Sequence, residues 1–162
     1  MLISEKMSAS LNKQVNNELH ASYLYLGMAV AFHDMGLKVF AGRFHQQSEE
    51  ERGHAGKIMK YIQDVGASVK LEGIEKPKCD CGSAASIIRA AVEAEMTVTK
   101  QINDLVALAE AEKDYASRSF LQWFVDEQVE EVSSMQELLQ WVEMAGEKNL
   151  FVLENRIAAT MK

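Results

Sequence analysis

Carboxylates, an imidazole and an amide recur in this chain where apolar residues would normally stand, and the chemistry their spacing calls for is metal binding. Four stretches carry apolar residues in steps of three and four. The first reads Leu11, Val15, Glu18, Ser22, Tyr25, Ala29, Phe32, and the second Phe40, Phe44, Gln47, Glu51, His54, Ile58, Tyr61, Val65. The third reads Ile88, Ala91, Glu95, Val98, Ile102, Leu105, Ala109, and the fourth Leu121, Phe124, Gln128, Glu131, Met135, Leu138, Val142. Such steps put each set on one helical face, so the polar groups point where their apolar neighbours point. No Lys or Arg lies on any of these stripes, and an unpaired carboxylate in a helical core costs several kcal/mol. Glu18, Glu51, Glu95 and Glu131, with His54, therefore need cations, and divalent metal ions are the candidates. Glu51 and His54 stand three apart, so one helical turn can offer a bridging carboxylate and a nitrogen to adjacent ions. Two divalent cations would balance the four carboxylates, which favours a dinuclear site bridged by Glu51. Oxygen-rich ligation with one imidazole suits iron or manganese, whereas a closed zinc site would carry more Cys or His. Tyr25, on the stripe of Glu18, has two readings: a hydrogen-bond or redox partner of the metals, or a core tyrosine with a satisfied hydroxyl.

Long helices must position these groups. One proline and nine glycines in 162 residues leave few interruptions, and good helix formers are abundant. The pattern predicts a first helix capped by Ser4 and running to about His33, and a second from near Lys38 to Gly66. A third is capped by Ser83 and reaches about Glu112, and a fourth runs from Tyr115 to Ala145, where Gly146 stops it. A short amphipathic piece, Asn149 to Met161, carries Leu150, Leu153 and Ile157 on one side. Short links join the first helix to the second and the third to the fourth, which implies two antiparallel hairpins. The stretch between them, ASVKLEGIEKPKCDCG, holds the only proline, Pro77. Extended, it reaches on the order of 50 Å, against about 42 Å for a helix of about 28 residues. It can therefore span the bundle and leave the second and third helices parallel. The polar positions lie near mid-length in every helix, so Glu18, Glu51, His54, Glu95, Gln128 and Glu131 are expected at one level. The expected fold is all-α: a four-helix bundle with a long crossover between the second and third helices and a short fifth helix, residues 1–162 forming a single domain.

Bulk properties narrow the partners. A net charge of −7 and a pI near 5.1 argue against nucleic acid and fit a surface that attracts cations. No apolar run approaches the roughly 20 residues that cross a bilayer. The N-terminal segment has neither an apolar core nor a cleavage site, so a cytoplasmic chain with no membrane partner is expected. Cys79 and Cys81 stand too close for an ordinary structural disulfide and fit a reducing compartment.

The segments Asn17-Glu18-Leu19 with Tyr25, Glu49-Glu50-Glu51-Arg52-Gly53-His54-Ala55, Glu93-Ala94-Glu95 followed by Val98-Thr99, and Phe120-Leu121-Gln122-Trp123-Phe124-Val125-Asp126-Glu127-Gln128-Val129-Glu130-Glu131 resemble the ferritins, of the non-haem bacterial and archaeal kind. The resemblance covers essentially the whole chain. It implies a ferritin-like bundle that oxidises Fe(II) with dioxygen or hydrogen peroxide at two iron positions per subunit. It further implies storage of Fe(III) as mineral inside a homo-oligomeric shell of about 24 subunits, with a separate reductant for iron release. By that resemblance Glu18, Glu51 and His54 hold the first iron, Glu51, Glu95 and Gln128 border the second with Glu131 in reach, and Tyr25 stands beside them. Glu50, Glu127, Glu130 and Glu131 match acidic positions that form a third, looser iron site in some prokaryotic members. Arg52 stands where a bacterioferritin would carry its haem-ligating Met, so no haem is expected. Gln128-Val129-Glu130-Glu131 replaces the second Glu-x-x-His of bacterioferritins and rubrerythrins, and the Cys-x-x-Cys module of rubrerythrins is absent. Two readings of other classes compete: a di-iron oxidase or peroxidase that stores no mineral, and a metal-free helical adaptor whose acidic stripe binds a basic partner.

Overall fold

Five α-helices follow one another in the structure, a computed structural model that describes residues 1–79 and 81–160. They are α1 (Glu5–Asp34), α2 (Lys38–Asp64), α3 (Ala84–Ala111), α4 (Tyr115–Ala145) and, after a 3-10 turn at Glu147–Asn149, α5 (Leu150–Thr160). The second helix stops at Asp64, two residues before the expected Gly66, because Gly66 turns to φ +78° and can no longer continue it. The fifth helix begins at Leu150 because Asn149 belongs to the preceding turn. Its expected last residue, Met161, lies outside the described residues.

Local chemistry sets most of these ends. The Ser4 hydroxyl accepts the amide of Met7 at 2.9 Å, Ser83 and Ser86 cap the start of α3 reciprocally, and Asp114 Oδ1 accepts the Ser117 amide at 3.0 Å, each satisfying an otherwise orphaned donor. At the N-terminus of α2, Leu37 offers no side-chain cap. There the cap comes from another helix: Glu154 Oε1 on α5 accepts Val39 N at 2.7 Å and Phe40 N at 3.3 Å. A carboxylate at a helix N-terminus satisfies the amides and opposes the helix dipole. Glu154→Ala is therefore expected to cost about 1 kcal/mol, read as a lower melting temperature, with the secondary structure of α1–α4 unchanged by circular dichroism.

Two apolar clusters define the direction of every helix. One gathers Tyr25, Met28 and Phe32 from late α1, Phe40 and Phe44 from early α2, Ile87, Ile88 and Ala91 from early α3, and Met135, Leu138 and Val142 from late α4. The other gathers Met7, Leu11 and Val15 from early α1, Ile58 and Ile62 from late α2, Ile102 and Leu105 from late α3, and Leu121 and Phe124 from early α4. The starts of α2 and α3 thus share one end of the bundle, so the two run parallel, as the connector length implied. Leu150, Leu153 and Ile157 pack α5 against the first cluster. One stripe position shifts: Tyr61 is half-buried and its neighbour Ile62 takes the core place, because a 3.6-residue turn drifts from a seven-residue repeat.

The crossover is held by side chains of α1. Asn12 donates to Ser68 O at 3.0 Å and accepts Lys70 N at 2.6 Å, while Asn16 donates to Lys70 O at 3.0 Å and accepts Glu72 N at 2.9 Å. Two asparagines one turn apart thus satisfy backbone that has no secondary structure of its own. Further on, Pro77 lies against Gly27, where an added Cβ would stand 3.4 Å from Pro77 Cγ. Cys79 and Cys81 are half-buried beside the first apolar cluster; Asp80 between them lies outside the described residues.

Candidate metal centre

Between the two apolar clusters lies a layer of buried polar side chains: Glu18, Glu51, His54, Glu95, Gln128 and Glu131. The six expected at one level are thus brought together, each by its own apolar flanks. Ligand atoms of Glu18, Glu51 and His54 all lie within 4.8 Å of one another. His54 Nδ1 stands 3.2 Å from Glu51 Oε2 and 3.9 Å from Glu18 Oε2. Glu18 is fully buried, and its Oε2 has no hydrogen-bond partner. An anionic oxygen left so would be severely penalised in a core, and a cation between it and His54 removes the penalty.

Glu95 forms the other flank. It accepts the Tyr25 hydroxyl through Oε1 and the Gln128 amide through Oε2, the latter at 3.2 Å. Gln128 Nε2 also reaches Glu95 O and Thr99 Oγ1, both at 3.2 Å. Tyr25 is thus a core tyrosine with its hydroxyl satisfied, and the acceptor is a carboxylate of this layer. Glu131 connects through Gln47, whose Nε2 donates to Glu131 Oε2 at 2.8 Å and to Glu51 Oε1 at 3.0 Å.

In the metal-free protein, protons stand in for the cations. Burial pushes the Glu18 carboxyl well above the usual range, and the Glu51 charge adds to the effect. Burial, then Glu51, raises Glu95 to about 7. Burial, then Glu95 and Glu51, raises Glu131 to about 8. Glu51 behaves oppositely: burial would raise it, but the hydrogen bond and charge of His54, with further hydrogen bonds, hold it below the usual range. For His54, burial works against the imidazolium, yet Glu51 and then Glu18 outweigh it and lift the group to about 9. The metal-free centre is therefore one ion pair, Glu51 with His54, surrounded by carboxyls that hold their protons into the neutral range. Divalent metals must displace those protons to bind.

The Ferritin-like domain family model matches residues 8–145. A bacterial non-heme ferritin of Staphylococcus aureus is 34% identical over 160 residues, covering 98% of this chain and 96% of that one. The chain belongs to the ferritin family. Among solved structures, an open-pore ferritin from the hyperthermophilic archaeon Archaeoglobus fulgidus superposes with a TM-score of 0.95 at 38% identity, covering 99% of both chains. A humanized archaeal ferritin superposes with a TM-score of 0.94 at 38% identity, over 98% of both.

In this ferritin the looser acidic set divides. Glu50, Glu127, Glu130 and Glu131 all line one cavity of about 380 Å³ between α2 and α4, yet Glu50 and Glu130 are exposed and Glu127 is half-buried. Glu127 and Glu131 also approach His54, with ligand atoms within 4.8 Å of one another. Arg43 lines the same cavity and donates to Ser134 Oγ at 2.6 Å, a cation among these carboxylates that the acidic pattern alone did not announce. His20, His33 and His45, off the ligand stripe, are exposed. Gln14 went unseen from the sequence: it donates to Glu18 Oε1 at 2.8 Å. Its only signal was its place four residues before a ligand candidate, the relation Gln47 bears to Glu51. Among the described residues no helix is long and apolar enough to cross a membrane.

Proposed function

We propose that this ferritin binds two Fe(II) ions as substrate in the polar layer, oxidises them, and passes Fe(III) to a mineral stored inside a shell of its own copies. The observation that carries the reading is Glu18: a fully buried carboxyl whose Oε2 has no partner and which lies in a cluster with Glu51 and His54. Glu18, Glu51 and His54 would hold the first ion. Glu51, Glu95 and Gln128 would hold the second, with Glu51 between them and Glu131 in reach through Gln47. Two irons side by side deliver two electrons to one acceptor, which avoids one-electron oxygen radicals. With dioxygen, two Fe(II) and two protons give two Fe(III) and hydrogen peroxide; with hydrogen peroxide, the same electrons and two protons give two waters. Carboxylates favour Fe(III), the harder and more highly charged ion. Tyr25, buried and donating to Glu95, steadies that ligand and keeps its own proton, because burial and then Glu95 raise its hydroxyl well above the usual tyrosine range.

Product must then leave. Gln128 is a neutral ligand, and its amide is shared with Thr99 and the Glu95 carbonyl, which supports a labile second position. Glu50, Glu127, Glu130 and Glu131 line the cavity between α2 and α4 and would receive the product there and hold a third ion loosely. Gln128→Glu is expected to tighten the second position and slow steady turnover several-fold, with the first stoichiometric round little changed in stopped-flow absorbance; faster steady turnover would contradict lability. The shell would close by repeating a few heterologous contacts about 24 times, in the cytoplasm. Aerobic Fe(II) loading tests the reading. The expected result is a ferric absorbance that co-elutes with protein at roughly 430 kDa, about 24 chains. A small species that oxidises iron but retains none would leave an oxidase, and no oxidation at all would remove the reading.

A further inference from the structure

Gln14 and Gln47 occupy matched places in the α1–α2 hairpin. Both are buried, and both stand four residues before a carboxylate of the centre, the spacing at which helical side chains meet. Each gives its amide to the outer oxygen of that carboxylate: Gln14 Nε2 to Glu18 Oε1 at 2.8 Å, Gln47 Nε2 to Glu51 Oε1 at 3.0 Å. In both cases the inner oxygen faces His54. Glu51 Oε2 lies 3.2 Å from His54 Nδ1, and Glu18 Oε2 lies 3.9 Å from the same nitrogen with no hydrogen-bond partner. Neither amide can turn freely. Gln14 is braced by Gln101 Oε1, which accepts from it at 3.2 Å, and by Asn17 Nδ2, which donates to it at 3.3 Å. Gln47 is braced by its second bond, to Glu131 Oε2 at 2.8 Å.

The residue type fits a particular task. A Lys or Arg in these places would hold the carboxylate more strongly, but it would supply the positive charge that a metal is to supply, and a buried ion pair resists being broken. An aliphatic residue would leave the outer oxygen unsatisfied and the carboxylate free to rotate. A neutral amide fixes direction without cancelling charge. Both amides also stand at a boundary with solvent: Gln14 lines a cleft of about 180 Å³ between α1 and α3, and Gln47 lines the acidic cavity between α2 and α4.

We propose that Gln14 and Gln47 are positioning residues for the two metal positions, each pinning the outer oxygen of the carboxylate one turn on so that the inner oxygen is presented to metal. Gln47 in addition ties Glu131 of α4 to Glu51 of α2. The inference rests on the dinuclear reading above and adds an asymmetry. Gln14 touches a ligand of the first position only, whereas Gln47 touches the shared ligand Glu51 and Glu131 with it.

Anaerobic Zn(II) titration calorimetry on the intact oligomer tests this, with Met, unbranched and of similar length, replacing each glutamine. Gln14→Met is expected to weaken one of two binding steps by about 10- to 100-fold, the usual effect of removing a partner of a ligand, and to leave the other at wild-type affinity. Gln47→Met is expected to weaken both. Co(II) absorption should change for one of two equivalents in the first variant and for both in the second, a pattern that a general loss of packing would not produce. Should a Met variant fail to assemble, Gln14→Leu and Gln47→Leu remove the amide with an apolar side chain of similar volume and carry the same expectation. Wild-type affinity at both steps in Gln14→Met, equal weakening of both steps there, or loss of a single step in Gln47→Met would each overturn the proposal while the dinuclear reading stands. A wild-type protein that takes up fewer than two Zn(II) per chain in this layer would overturn that reading, and the proposal with it.

Discussion

Glu51→Ala is expected to lower the rate of Fe(II) oxidation by at least about 100-fold, more than the 10- to 100-fold typical for the partner of a ligand, because a ligand itself is removed. Glu51 is tied to both sides of the layer. It faces His54 directly, and it reaches Glu131 through the Gln47 amide. In the proposed arrangement its loss would remove a ligand from each ion, and it strips His54 of the charge that holds its proton. His54→Ala and Glu18→Ala should each lose comparably, since each leaves the first position with two protein ligands. Glu18→Ala should leave the metal-free chain folded and no less stable, since it removes a carboxyl that burial holds uncharged. Glu51→Ala and His54→Ala each break the Glu51–His54 pair and should lower the metal-free melting temperature without abolishing the fold. The measurement is stopped-flow ferric absorbance beside a melting curve. Oxidation at the wild-type rate in any of these variants would mean that iron reacts elsewhere.

The second large effect is on stability against pH. Glu95 at about 7, Glu131 at about 8 and His54 at about 9, with Glu18 also raised by burial, all hold protons in the folded state that the unfolded chain has already released. Stability from these groups is fully present below their unfolded values and is lost as pH rises through the folded ones. For the carboxyls that interval opens at about 4.5, and for His54 at about 6.5. Only Glu51, held low, contributes in the opposite sense, and its contribution is lost as pH falls below the carboxylate range. The metal-free protein should therefore lose a few kcal/mol per chain between pH 5.5 and 8.5, on the order of 10 °C in melting temperature. Zn(II) should reverse the slope, since metal displaces those protons more easily at high pH, and 100-fold excess over the dissociation constant adds about 2.7 kcal/mol per site. Scanning calorimetry at the two pH values, with and without Zn(II), reads both signs. A metal-free melting temperature that climbs with pH would contradict the proton occupancy described here.

Much of the centre was legible because direction along a helix is periodic. Phe40, Phe44 and Ile58 fix which way Glu51 and His54 point, and Leu121, Phe124 and Met135 do the same for Gln128 and Glu131. The antiparallel hairpins and the parallel α2 and α3 followed from connector lengths. What periodicity does not report is contact between elements. Gln14 reads as one more polar residue until Glu18 Oε1 is found 2.8 Å away. Glu154 reads as a solvated charge until the open amides of α2 are seen to end at it. Asn12 and Asn16 carry no sign that a crossover with no helix of its own will lie over them. Acidic residues beside the stripe were the hardest to resolve. Glu50 and Glu130 line the cavity but are exposed, and Arg43, between two apolar core positions in the chain, shares it. Position on a helical wheel separates inside from outside well, but a cavity wall is neither.

Everything rests on two cations sharing the layer between the apolar clusters. Anomalous diffraction from crystals soaked anaerobically in ferrous salt tests that most directly. The expected result is two iron peaks per chain, about 3.5 to 4 Å apart as in other two-metal sites, one among Glu18, Glu51 and His54 and the other beside Glu95 and Gln128. Iron found only in the acidic cavity at Glu50, Glu127 and Glu130, with no peak between the four helices, would contradict it.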